Sequence, residues 1–182
     1  MPFITRGKRR EKAGAATVVV GLSVAFVLCG CTDQPTVPSV APTQSQSDQD
    51  ARTFQEEYAA YVSLALDSIS EDELKPLLTG DLLAESVSEI DDAKRQGTHV
   101  IGKYTYSNFA VTDQGTDTEG NSYMVAQACL DVTGSRVRDS NGNDITPARD
   151  PFISMQLKAI TIDEGAWRIS DAVRNDEVKA CG

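Results

Sequence analysis

Histidine is almost missing from this chain: His99 stands alone among 182 residues. Nucleophilic catalysis of the triad kind needs an oriented base beside its nucleophile, and no Gly-x-Ser-x-Gly elbow is present to offer one. His99 therefore reads as a structural or solvent-facing residue. Cations are also short, 17 Lys and Arg against 27 Asp and Glu, leaving a net charge of −10. Nucleic acid is excluded on that ground, because binding it needs clustered cations to displace counterions. Glycine-rich loops of the phosphate-cradling kind are absent as well. The one extended apolar run, Ala13 to Leu28, spans 16 residues, fewer than the roughly 20 of a membrane-spanning helix. With 40% hydrophobic residues and a mean hydropathy of −0.29, the rest has the composition of one soluble globular core.

What is present begins with an address. Arg6, Lys8, Arg9, Arg10 and Lys12 precede the apolar run, opposed only by Glu11. A cationic n-region, an apolar h-region and then small residues form the layout of an export signal. The run ends in Leu28-Cys29-Gly30-Cys31, which resembles the lipobox of bacterial lipoproteins. The resemblance implies that Cys31 receives a diacylglyceryl group and that residues 1–30 are removed as a signal peptide. It also implies two or three acyl chains of the palmitate class, and so a lasting anchor on the outer face of the cell membrane, since a single chain holds only reversibly. The remainder, 31–182, would carry 12 Lys and Arg against 26 Asp and Glu, a net charge of −14. Anionic headgroups would repel such a body and hold it off the surface.

Residues 31–49 contain Pro35, Pro38 and Pro42 among Ser, Thr and Gln, with no aromatic residue. Such a stretch buries too little apolar surface to offset its ordering entropy, so it reads as a disordered linker. The folded part is expected over 50–182. Phe54, Tyr58, Tyr61, Val62, Ala65, Leu66 and Ile69 recur at three- and four-residue spacing, which predicts a helix over about 50–68. Ser70 and Glu73 form a capping-box pattern for a short second helix, and Pro76 either lies awkwardly inside it or ends it. Leu82, Leu83, Val87, Ile90 and Ala93 predict a third, from Gly80-Asp81 to Gly97. Beyond Gly97 the period falls to two, and strands are predicted over 99–112, 122–134, 152–163 and 166–173. Asp113-Gln114-Gly115, Ser140-Asn141-Gly142-Asn143 and Asp163-Glu164-Gly165 read as the turns between them. Helices followed by antiparallel strands make the class α+β.

This order, with Trp167 following the last turn in Glu164-Gly165-Ala166-Trp167-Arg168-Ile169, resembles the NTF2-like (SnoaL-like) cone. More narrowly, the whole layout resembles exported NTF2-like lipoproteins of Gram-positive bacteria. The resemblance implies N-terminal helices packed on a bent antiparallel sheet of four or more strands, with a pocket at the open end. It departs from the family in showing no clear short strand between the second and third helices. Cone enzymes of the isomerase and cyclase type use Asp and Tyr inside the pocket, which singles out Tyr58, Tyr104, Tyr106 and Asp131 as candidates. Ordinary packing accounts for the same residues, so no catalytic residue is assigned.

With Cys29 lost in the signal and Cys31 lipidated, Cys129 and Cys181 remain as an even pair in an oxidising compartment, and a disulfide between them is expected. No metal or cofactor is expected, because the remaining cysteines and one histidine make too few ligands. Asp139 to Asp144 reads as a hairpin tip, since its Gly and Glu positions do not match an EF-hand. The sequence thus points to a lipid-anchored binding or docking module whose partner is an envelope protein or a small apolar ligand. A cone enzyme acting on a small apolar molecule is the alternative.

Overall fold

The computed structural model describes residues 45–162 and 165–182. The expected signal, Cys31 and the linker up to residue 44 lie outside the described residues. Three helices come first, α1 (Gln46–Ser63), α2 (Glu71–Leu74) and α3 (Gly80–Gln96). Six strands follow: β1 (His99–Gly102), β2 (Thr105–Thr116), β3 (Ser122–Asp131), β4 (Ser135–Arg138), β5 (Phe152–Ile162) and β6 (Ala166–Arg174).

α1 opens four residues inside the stretch expected to be linker. Ser45 caps it, accepting from the Asp48 amide at 3.2 Å, and Asp48 puts a negative charge in the first turn, where the helix dipole favours one. The helix also stops earlier than the periodicity suggests. Its buried face is Phe54, Tyr58, Tyr61 and Val62, while Leu66 and Ile69 reach the same core from the turn beyond it. In α2 the expected capping box is present: the Glu73 carboxylate accepts from the Ser70 amide at 2.9 Å and its hydroxyl at 2.7 Å. α3 ends at Gly97, whose left-handed backbone (φ 65°) lets its amide close the last turn on Ala93 and Lys94.

Four strands form one antiparallel sheet in the order β2-β3-β5-β6, and β1 pairs with β4 in a separate two-stranded sheet. The strand expected over 99–112 is thus two, because the backbone turns at Gly102 (φ 87°). A side chain there would collide with the Gly134 carbonyl. β4 was not expected, and its sequence Ser-Arg-Val-Arg has too little alternation to announce a strand. The expected turn at Asp113-Gln114-Gly115 lies within β2. The chain instead reverses after Asp117, whose carboxylate accepts from the Glu119 and Asn121 amides at 2.9 Å each. Between α2 and α3, Leu78 makes a parallel bridge to Ile169. The Ile169 amide donates to Leu77 O at 2.9 Å, and the Thr79 amide to Ile169 O at 3.0 Å. A one-residue strand therefore stands where the sequence showed none.

The main sheet is irregular in three places. β2 carries one extra residue between Ser107 and Ala110 and another between Val111 and Asp113, and β6 carries one opposite the Lys158–Ala159 step. Each bulge bends its strand and increases the local twist. α1 lies against β2 and β6, and α3 against β6. Met124, Ala126, Ala128 and Leu130 of β3, Met155, Leu157 and Ala159 of β5, and Ile169 of β6 complete the core.

Cys129 lies on the other face of β3 and is bonded to Cys181, with the two Cα atoms 4.8 Å apart. The C-terminal segment is thereby held across that face. Asn108, inside the first β2 bulge with φ 54°, donates from Nδ2 to Ala180 O at 2.8 Å. The amides of Asn175 and Cys181 donate to Ser154 O at 2.9 Å and Ser154 Oγ at 3.3 Å. Closing a loop of 52 residues restricts the unfolded chain, so Cys181→Ser is expected to lower the unfolding free energy by about 3 kcal/mol. Urea titration of both proteins checks this, and equal midpoints would contradict it.

Candidate functional site

The four candidate side chains do not share a site. Tyr58 is 1% exposed, with its ring 4.9 Å from Tyr106 in an edge-on contact and 5.9 Å from Phe109. Phe54 meets Phe109 at 5.3 Å, so this end of α1 is an aromatic cluster locked onto β2. The Tyr58 hydroxyl is buried without a hydrogen-bond partner among the described residues, and burial drives its ionisation far above the usual phenol range. Tyr104, 3% exposed, instead belongs with Ser135 and Arg149, which hydrogen-bond its hydroxyl. Burial raises its pKa and the Arg149 guanidinium opposes the rise. Asp131 faces away from the helices. It accepts from the Thr133 hydroxyl at 2.7 Å and amide at 2.8 Å, and these bonds hold its carboxyl below the usual range. A base for proton abstraction would need the opposite shift. His99 is exposed at the start of β1, as expected.

A residue the sequence reading passed over is Glu89. It lies on α3 beside Ser86, Leu66, Ile69, Ile90 and Val100, around a cavity of about 70 Å³. Ser86 is buried and hydrogen-bonded to Tyr61. Burial, with the neighbouring Glu85 charge adding to it, pushes the Glu89 carboxyl up to about 7. The signal was available: Leu82, Ser86, Glu89 and Ala93 follow the same four-three-four spacing as an inward helical stripe. A cavity this small has room for water but falls far below the roughly 300–1,000 Å³ of small-molecule sites. Among the described residues no cluster of His, Cys, Asp and Glu is arranged to hold a metal ion.

A second concavity of about 320 Å³ lies between the start of α1 and the β2–β3 hairpin. Its walls include Asp50, Gln114, Tyr123 and Trp167. Trp167 itself is core, 7% exposed, with Nε1 donating to Asp50 Oδ1 at 3.4 Å.

No family model matches the chain, and no curated protein matches it in sequence. Solved structures similar to it include the intermembrane space region of the chloroplast protein ARC6, at 12% identity and TM-score 0.47, covering 74% of this chain and 98% of that one. A periplasmic fragment of TraM is similar at 17% identity and TM-score 0.45, covering 72% and 99%. The putative transfer protein TraH from the Gram-positive conjugative plasmid pIP501 is similar at 13% identity and TM-score 0.41, covering 74% and 97%. At these scores the likenesses carry no argument about what this chain does. Among the described residues, no helix is long and apolar enough to cross a membrane.

Glu89 gives a pH dependence with a definite sign. Its folded pKa of about 7 lies above the ordinary 4.5, so between those values the folded state holds more protons than the unfolded state. Stability therefore falls as pH rises through that window. Glu89→Gln removes the effect. At pH 8 the variant is expected to be more stable by about 1 kcal/mol, a value discounted for a half-exposed carboxyl. At pH 4 the two proteins are expected to match. Guanidinium titrations at both pH values check this, and a variant less stable at pH 8 would contradict it.

Proposed function

We propose that this chain is an exported lipoprotein whose NTF2-like domain works as a docking module on the outer face of the cell membrane. The observation that carries the docking reading is the filled interior. Phe54, Tyr58, Leu74, Leu130, Met155 and Leu157, each at most 1% exposed, occupy the space between helices and sheet where a cone enzyme would hold substrate. With its interior filled and its larger concavity, of about 320 Å³, open at the rim between α1 and the β2–β3 hairpin, the domain presents its surface for binding.

The remaining parts of the reading have separate supports. Three helices preceding a bulged antiparallel sheet, together with the short strand at Leu78, support the NTF2-like assignment. The Cys129–Cys181 bond supports an oxidising compartment. Leu28-Cys29-Gly30-Cys31 after the apolar run supports lipidation of Cys31, and residues 1–30 and 31–44 take the roles of signal and tether. The enzyme reading, with a small apolar substrate, has one observation in its favour: a carboxyl titrating near neutrality, Glu89, on a cavity wall.

Cys31→Ser is expected to leave the protein unprocessed or to release it from the membrane fraction; normal acylated processing of that variant would overturn the anchor. Co-purification from membranes in mild detergent is expected to recover a stoichiometric envelope protein. Recovery of a specific small apolar molecule in its place would favour the enzyme or ligand-binding alternative.

A further inference from the structure

Strand β2 changes phase at Asn108. Tyr106 stands opposite Leu130 on the core side of the sheet, and Ser107 stands opposite Cys129 on the outer side. Strict alternation would return Phe109 to the outer side with Ser107. The bulge prevents this, because β2 takes three steps from Ser107 to Ala110 while β3 takes two from Cys129 to Gln127. Phe109 and Val111 therefore pack against the core. Without the extra residue, α1 would lose the ring that meets Phe54 at 5.3 Å and Tyr58 at 5.9 Å.

That extra residue is held from the opposite face. Asn108 has φ 54°, a left-handed conformation that Asn adopts at lower cost than most side chains. Its Nδ2 donates to Ala180 O at 2.8 Å, and Ala180 is buried. The next residue is Cys181, bonded to Cys129 directly across the ladder from Ser107. Two successive tail residues thus grip both strands where they fall out of step, Ala180 on β2 and Cys181 on β3. Other tail bonds run to Ser154 and Gln156 of β5.

We propose that the disulfide-held tail is a redox-sensitive latch: gripping the β2 bulge from the outer face, it fixes the seat of α1 on the inner face. Opening it takes two electrons and two protons from a dithiol reductant, giving the Cys129 and Cys181 thiols and the reductant's own disulfide. A tail released at Cys181 no longer presses Ala180 O onto β2. Asn108 then loses the bond that offsets its left-handed backbone, and the extra residue passes to the far side of Phe109. That slip turns the Phe109 ring outward. α1 stays tied to β6 through Asp50 with Trp167 and Glu57 with Arg168. It loosens along one side without leaving.

Hydrogen exchange on the full chain, read by mass spectrometry, tests the latch. Asn108→Asp keeps the size, the disulfide and the tolerance of a left-handed backbone, but loses the donor. Amides of α1 over 54–63 are expected to exchange about tenfold faster in this variant, with those of α3 unchanged. Dithiothreitol lowers protection everywhere by removing the loop constraint. It is expected to quicken α1 about tenfold more than α3, which packs on β6. Reducing the Asn108→Asp protein is expected to widen the difference between the helices no further, since both changes open one latch. Equal acceleration of the two helices, acceleration confined to 175–182, an Asn108→Asp protein that exchanges like the unaltered chain, or a second full step on reducing that variant would each overturn the proposal.

Discussion

The curvature of the four-stranded sheet is the constraint on which the rest depends. A regular ladder of strands this long would present a gently twisted surface, and a single helix could cover only part of it. Extra residues in β2 and β6, the two outermost strands, bend both margins of the sheet. α1 touches those same two margins, β2 through its aromatic rings and β6 through Asp50 with Trp167 and Glu57 with Arg168. Phe54 and Tyr58 meet Phe109, which sits within the first bulge. The irregularity in the ladder and the helix packing are therefore one feature seen from two sides. A straightened β2 would turn Phe109 away from α1, costing Phe54 its ring contact and leaving Tyr58 with Tyr106 alone.

How much of this was legible depended on how locally each element is specified. α2 and α3 were readable because their stop and start signals lie in the chain itself: the Ser70–Glu73 box and the left-handed Gly97. The buried faces of β3 and β5 were equally plain, with Met124, Ala126, Ala128 and Leu130 alternating on one and Met155, Leu157 and Ala159 on the other. α1 was misjudged at both ends because its termini are set by partners. Ser45 is unremarkable until Asp48 folds back onto it, and Leu66 continues the helical spacing while packing from a turn. β4 and the bridge at Leu78 exist only by pairing with distant segments, and neither has a periodic signature of its own. The misplaced turn at Asp113 has a simple cause as well. Gly115 resembles a turn glycine, yet it lies against the Tyr123 ring across the ladder, and Asp117 supplies the reversal.

The site followed the same logic. Burial of Tyr58 and Tyr104 could be inferred from their apolar neighbours, but a pocket needs empty space, and sequence periodicity does not measure volume. Asp131 alternates out of the core, as its position beside Leu130 implied, and spends its charge on the turn that follows. Glu89 was the opposite case, a carboxylate on a stripe of inward positions whose charge gave it the look of a solvated residue.

The link at Leu78 has a consequence for how the molecule meets its neighbours. By taking the hydrogen-bonding positions of Ile169, it occupies the middle of the free edge of β6. Among the described residues, the β2 margin is the longer stretch of the sheet left open to backbone pairing, and its two bulges make it a poor template. A neighbouring chain that added a strand there would meet a ladder twice out of step, and one that approached β6 would first have to displace Leu78 from Ile169.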